Sequence, residues 1–453
     1  MTVETPICDF LEQYAKADPI RLHMPGHKGK GAPEALYDLT EVAGADSLYE
    51  ASGIIRHSED IASRLFGGRS FYSTEGSSLA IRAMLYLTVL YAKQTGRPCH
   101  VAAARNVHRS FLSGAALMDL TVDFLAGEGT DYLSCPLAPE EVAAYLDRTR
   151  RRPVALFVTS PDYLGHTQDL AALAEVCHKR DVLLLVDNAH GAYLRFLSPS
   201  RHPLDLGADA CCDSAHKTLP ALTGTAYLHI GKGAPFLFAE RAKEAMAIFG
   251  STSPSYLLLS SLDRLNPYLA GEFPDHLAMA VSRVAHAAEA LRACGYMTVV
   301  DEPLKLTLAP KSYGYTGTEL AAHLEREGIV AEFADPDYLV LMPSVSTTAE
   351  ELNRLVEILS SLPKKPKILQ NPPPFSAPKR AVSLREAVES PSETCSVEQA
   401  VGRTVSYLAV SCPPAVPPVL PGEVLSEAGA EALRYYGYTT LLVLANAKRR
   451  GLR

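Results

Sequence analysis

Between about residues 70 and 232, short apolar runs alternate with longer helical patterns, and this alternation leaves few architectures open. The runs are HVAAA (100–104), VALFVTS (154–160), VLLLVD (182–187) and TAYLHI (225–230). Between them lie SLAIRAMLYLTVLYAKQ (78–94), PEEVAAYLDRT (139–149) and DLAALAEVCHKR (169–180). Strands that are apolar along their whole length are buried on both faces, which predicts an α/β fold with a mostly parallel sheet flanked by helices. In such sheets ligands gather at the carboxyl ends of the strands, so the residues there are the first place to look for chemistry.

Beyond a helical stretch near 276–293 the pattern changes to α+β: LKLTLAP, TELAAHLEREG, the strand pair IVAEFA and YLVLMPS, then TAEELNRLVEILSSL. The expected division is an N-terminal segment over 1–70, a large domain over 71–296 and a small α+β domain over 297–362. A Pro- and Lys-rich linker over 363–380 and a C-terminal domain over 381–453 follow, because PKKPKILQNPPPFSAPKR holds neither helix nor sheet for long. A chain of 453 residues has length enough for several cores. Its net charge of −8 offers no basic field for nucleic acid, and the nearby Lys364, Lys365 and Lys367 read as a solvated linker. Nine cysteines, odd in number and widely spaced, fit reduced thiols. The start MTVETPICDFLEQYAK has no basic segment leading into an apolar one, and no run nears the roughly 20 apolar residues of a membrane span. No membrane partner is expected, and the cytoplasm is the expected location.

Asp187 closes the run VLLLVD, and Lys217 follows in DSAHKTL, where a neighbouring strand should end. A carboxylate and a lysine at strand ends suit pyridoxal 5'-phosphate: the amine forms a Schiff base and the carboxylate keeps the pyridine nitrogen protonated. Taken alone, each residue is ordinary, an Asp at a strand end being commonly a cap and a Lys commonly solvated. The phosphate would need donors at a helix N-terminus, which STEGSS (73–78) supplies through Gly76, Ser77 and Ser78, with Ser214 as a further hydroxyl. An ordinary helix cap is the simpler account of those serines by themselves. Two other patterns fail. HMPGH (23–27) spaces histidines as zinc sites do, but Pro25 and Gly26 break the helix and no glutamate is present, so no metal is expected. GHKGKG (26–31) begins like a nucleotide phosphate loop but runs into Ala32 and Pro33.

Collinear segments then resemble the bacterial ornithine/lysine/arginine decarboxylase family, in its compact form, over nearly the whole chain. They are RLHMPGHKG (21–29), DLTEVAGADSLYEASGII (38–55), STEGSS (73–78), RNVHRS (105–110), TSPDYLG (159–165), VDNAHG (186–191), SAHKTLPALTGTA (214–226) and STSPSYLLLSSLD (251–263). GYTGTELAAHLEREGIVAE (314–332) and the late PP-x-x-P with PGE (413–423) also fit. The resemblance implies a pyridoxal-phosphate fold of the aspartate-aminotransferase type (fold type I) and decarboxylation of a basic amino acid to an amine and carbon dioxide. It assigns Lys217 to the Schiff base, Asp187 to the pyridine nitrogen, His216 to phosphate contact or proton transfer, and His108 to stacking on one ring face. Ala189 would pack on the other face, with His190 close by. It also implies a homodimer with shared sites, in which the 1–70 segment takes part and Ser253 and Tyr256 of STSPSY approach the other subunit's phosphate.

The chain departs from the family pattern in places. Asp-Glu-Ala-His becomes Asp187-Asn188-Ala189-His190, Asp-Asp-Leu-His becomes Asp46-Ser47-Leu48-Tyr49, and Tyr-Pro-Pro-Gly becomes Cys412-Pro413-Pro414-Ala415. Two acids that could meet a cationic substrate are absent, and Asn188 is expected to leave one carboxylate fewer beside the cofactor. Glu423, with His27, is then the expected contact for the substrate, since a buried cation needs a carboxylate, the alternative for Glu423 being a surface turn after Pro421 and Gly422. Another reaction of the same cofactor, a non-basic substrate, or a scaffold kept for binding alone are the alternatives.

Overall fold

A computed structural model describes residues 3–299, 302–407 and 415–445. The chain divides into two compact units, one gathering Met1–Pro98, Val154–Ser160 and Asp169–Ala278, the other Cys99–Pro153, Pro161–Gln168 and Met279–Arg453. In chain order the first seven strands are β1 (Arg69–Ser73), β2 (His100–Ala104), β3 (Thr121–Leu125), β4 (Ala155–Thr159), β5 (Leu183–Asp187), β6 (Ala210–Asp213) and β7 (Ala226–Ile230). The first seven α-helices are α1 (Pro6–Ala17), α2 (Ile54–Phe66), α3 (Gly76–Gln94), α4 (Arg109–Leu117), α5 (Pro139–Arg148), α6 (Leu170–His178) and α7 (Ala215–Thr218).

In the first unit β4, β5 and β6 pair in parallel, with Thr159 opposite Asp187 and Asp187 opposite Cys212. Strand β7 runs antiparallel to both β6 and β1, placing Asp213 against Tyr227 and Ser73 against Ala226. Four of these five strands therefore point the same way. Their carboxyl ends, together with the start of β7, bring Asp187, Asp213, Ser73 and Ala226 to one edge. Strands β5 (LLLVD) and β7 (AYLHI) are buried at every position, so neither keeps a face for solvent.

In the second unit β2 and β3 pair in parallel, His100 opposite Thr121. Four short strands, β8 (Met297–Thr298), β9 (Leu306–Ala309), β10 (Phe333–Ala334) and β11 (Leu339–Leu341), form an antiparallel sheet in the order β10-β11-β9-β8. Its helices, Gly317–Arg326 and Ala349–Ser361, each open with a reciprocal capping box, Thr316 with Glu319 and Thr348 with Glu351. Residues 363–379 carry neither helix nor strand. Beyond them β12 (Ser392–Ser396) and β13 (Thr440–Leu444) pair over a core that includes Val405, Leu425, Leu433 and Val443. No helix among the described residues is long and apolar enough to cross a membrane. Cys412, Pro413 and Pro414 lie outside the described residues, and Ala415 is half-buried.

Candidate active site

The β5–β6 register decides where the chemistry lies. Asp187 ends β5, almost fully buried, and its Oδ1 accepts from both the Ala189 N–H (3.1 Å) and the Cys212 thiol (3.5 Å). Burial, with the charge of Asp187 added, pushes the Cys212 thiol well up, so it stays protonated and acts as a donor. One oxygen of Asp187 is thus fixed by the protein, and Oδ2 faces no protein donor among the described residues.

After β6 the chain turns through Ser214 into the short helix α7, which presents His216 and Lys217. The Lys217 Nζ lies 3.0 Å from His190 Nε2, while the lysine itself is exposed. His216 donates from Nδ1 to the Thr225 carbonyl (2.8 Å), which leaves Nε2 as the nitrogen able to take or give a proton. Residues 187 to 190 and 214 to 217 therefore meet at one end of the sheet, held by the pairing of β5 with β6.

The STEGSS turn arrives at the same edge from β1. Gly76 opens α3 at φ +67°, a left-handed conformation that explains a glycine there, since an added Cβ would meet nothing within 4 Å. Its N–H is taken by the Gly224 carbonyl (2.7 Å) and cannot serve an anion, which corrects the expectation for that residue. Ser77 remains: its hydroxyl accepts from Ser214 Oγ at 2.9 Å. The N-cap residue Glu75 makes no side-chain cap; its Oε1 accepts from the Ser251 N–H instead, so α3 begins without the usual side-chain partner for its first N–H groups. Ser78 stands on the same first turn, half-buried.

Other expected residues have different surroundings. His108, in the second unit, caps α4: its Nδ1 lies 2.9 Å from Ser110 Oγ and accepts from the Ser110 N–H (3.2 Å), with the ring exposed. His27 pairs with Asp38 (Nε2 to Oδ2, 3.2 Å) and takes the Gly29 N–H on Nδ1. Ser253 is exposed. Tyr256 is fully buried, its hydroxyl bonded to the Asp46 backbone of the same chain, so it is not a surface residue reaching outward. Asp46 gathers the N–H groups of Ser47, Ser52, Gly53, Ile55 and Arg56, which folds the loop into α2.

Two expectations about acids do not fit. Glu423, 3% exposed, receives Arg105 on both oxygens (Nη1 2.8 Å, Nη2 2.7 Å) and the Leu420 N–H on Oε2, with Arg380 3.7 Å from Oε1. A carboxylate so occupied has little left for a substrate cation. Asn188 is fully buried and donates to Asp213 Oδ1 at 2.6 Å, so its side chain belongs to an internal network. Sequence reasoning missed that network and the Cys212 donor, since both depend on a strand register that spacing alone does not show.

The family model described as Orn/Lys/Arg decarboxylase, major domain, matches residues 5–301, and the one for the C-terminal domain matches 365–442. An arginine decarboxylase of Halalkalibacterium halodurans is 30% identical, covering 95% of this chain and 93% of its own, and one of Bacillus subtilis is 28% identical, covering 94% and 92%. Among solved structures, a constitutive lysine decarboxylase of E. coli superposes with a TM-score of 0.77 at 18% identity, covering 98% of this chain and 82% of its own. Lysine decarboxylase A of Pseudomonas aeruginosa gives 0.78 at 18%, covering 97% and 80%. The fold is the one expected of pyridoxal-phosphate enzymes of type I, and the chain belongs to the Orn/Lys/Arg decarboxylase family.

Proposed function

We propose that this chain decarboxylates a basic amino acid, arginine first among them, with pyridoxal phosphate held on Lys217. The observation that carries the reading is the convergence of Lys217, His190, Asp187 and the Ser77–Ser214 pair at one sheet edge. The donor set fits the cofactor: an amine, a buried carboxylate with one oxygen left over, and two touching hydroxyls at a helix start. Arginine is favoured because relatives matching over nine-tenths of their own length are arginine decarboxylases.

When bound, pyridoxal phosphate supplies the sink for the electron pair left as the Cα–carboxylate bond breaks and carbon dioxide departs. Asp187 keeps the pyridine nitrogen protonated, its orientation set by the Ala189 N–H and the Cys212 thiol. Ser77, Ser78 and Ser214 hold the phosphate. Lys217 binds the cofactor and, with His216, is placed to deliver the proton that Cα takes up. His190 orients the Lys217 amine, and Ala189 would pack against one face of the cofactor ring. The second copy in a homodimer brings Ser253 to the phosphate.

The test is a screen of arginine, lysine, ornithine and neutral amino acids, measuring carbon dioxide and amine. A keto-acid product would move the chain to another reaction on this fold, and a preference for neutral substrates would overturn the basic-substrate reading. Lys217→Ala is expected to remove turnover and the visible absorbance of lysine-bound cofactor while the protein stays folded. Activity above a few per cent of the parent would defeat the assignment.

A further inference from the structure

The face of β6 turned away from solvent holds a group the proposed reaction does not use. Asp213 is fully buried, and its carboxylate accepts from Asn188 Nδ2 (2.6 Å) on Oδ1 and from His202 Nε2 (3.0 Å) and His229 Nε2 (3.2 Å) on Oδ2. Both histidines are fully buried too. Their Nδ1 atoms are also engaged, that of His202 by the Leu204 N–H (3.4 Å) and that of His229 by Ser70 Oγ (2.8 Å). Each ring therefore directs its Nε2–H at Asp213. Burial keeps His229 toward its neutral form, and the histidines hold the Asp213 carboxyl well below the ordinary carboxylate range despite its burial. A stable buried anion thus sits at the end of β6, wrapped in donors.

The position of this anion in the chain gives it meaning. Asp213 immediately precedes Ser214 and lies four residues before Lys217, while its shortest partner, Asn188, immediately follows Asp187 and lies two before His190. One hydrogen bond therefore braces the two segments that carry every group assigned to the cofactor in this unit except those of the STEGSS turn. We propose that Asp213 is a positioning residue for Asp187, acting through Asn188 to hold the β5 and β6 ends in register at the cofactor. The proposal rests on the reading of Asp187 as the partner of the pyridine nitrogen. It also gives the amide at position 188 a role: it donates to Asp213 at 2.6 Å, where an acidic side chain would set two buried like charges against each other. An amide donates where an acid would repel. Ligand atoms of His202, Cys211 and Asp213 lie within 4.8 Å of one another, as in a metal site, but hydrogen bonds already occupy the histidine nitrogens.

The experiment is a double-mutant cycle in the holoenzyme. Asn188→Ala is expected to lower kcat about ten- to a hundredfold with KM within about threefold, and to weaken pyridoxal phosphate binding to the apoenzyme about tenfold. In an Asp187→Asn background the same change should cost less than about threefold in kcat, because the group it positions is already altered. Asp213→Asn should show the same dependence on background. The paired exchange Asn188→Asp with Asp213→Asn should bind the cofactor more tightly than Asn188→Asp alone, since it restores one donor facing one carboxylate. Equal losses in both backgrounds, unchanged kinetics, failure of both single variants to fold, or a stoichiometric metal in the purified protein would each overturn the proposal. Failure of the underlying reading is seen separately: an Asp187→Asn enzyme with parent kinetics removes the premise, whatever the 188 and 213 variants do.

Discussion

Asp335 in the second unit is a carboxyl kept out of water: it is 2% exposed, and burial raises it to about 6, although the Tyr338 and Asp337 N–H groups (2.7 Å each) favour its charged form. A carboxyl with a folded pKa above its unfolded value binds more protons when folded, so stability falls as pH rises from about 4 to about 6 and stays reduced above that. Both N–H groups donate to Oδ1, an interaction that an amide oxygen can keep. Asp335→Asn is therefore expected to stabilise the protein by about 1–3 kcal/mol at pH 8. The gain should shrink as pH falls below 6, as denaturant titrations at several pH values would show. An equal effect at pH 5 and pH 8 would disprove the linkage. At this scale the placement of Asp187 and Lys217 at neighbouring strand ends was legible in the sequence, because an apolar run leads into Asp187 and DSAHKTL reads as the end of the next strand. Asn188 was not, because the direction of its side chain is set by Asp213, 25 positions later on another strand. Glu423 was misread for the same reason: a turn containing Pro and Gly does not reveal that an arginine 318 positions earlier has claimed its acid.

Elements join the proposed phosphate cup in pairs, with the start of α3 giving Ser77 and the β6–α7 turn giving Ser214. Because the two hydroxyls touch, Ser214→Ala removes a donor to Ser77 as well as any bond of its own. Cofactor affinity should fall about three- to tenfold, the scale of one net hydrogen bond, with kcat changing less. Equal cofactor content in variant and parent after dialysis would refute this. Several strands were legible: in the first unit β4, β5 and β7 fall within the expected runs, and in the second β2 coincides with HVAAA. The expected runs did not include β1, RSFYS, since polar side chains mask a buried strand; β6, ACCD, was expected only as a strand ending before Lys217, since four residues give no period.

On the scale of the whole chain, the shared-site reading predicts that inactive Lys217→Ala subunits, mixed with Ser253→Asp subunits and allowed to exchange, recover activity. Verified exchange without recovery would mean that each site is complete in one chain. In the second unit the Arg105–Glu423 pair is nearly sealed from water, and breaking such a pair leaves a bare buried charge. Glu423→Gln should lower unfolding free energy by about 3–5 kcal/mol with KM unchanged, whereas a substrate contact would raise KM and spare stability. The domain order could be read from the Pro-rich stretch, but not this pairing, which closes over most of the chain. It also has a consequence for synthesis. A ribosome adding about 5–20 residues per second makes Glu423 roughly 15 to 60 s after Arg105. Throughout that interval the nascent RNVHRS loop carries a guanidinium whose buried place has no counter-charge, so this unit can finish folding only when its last part emerges.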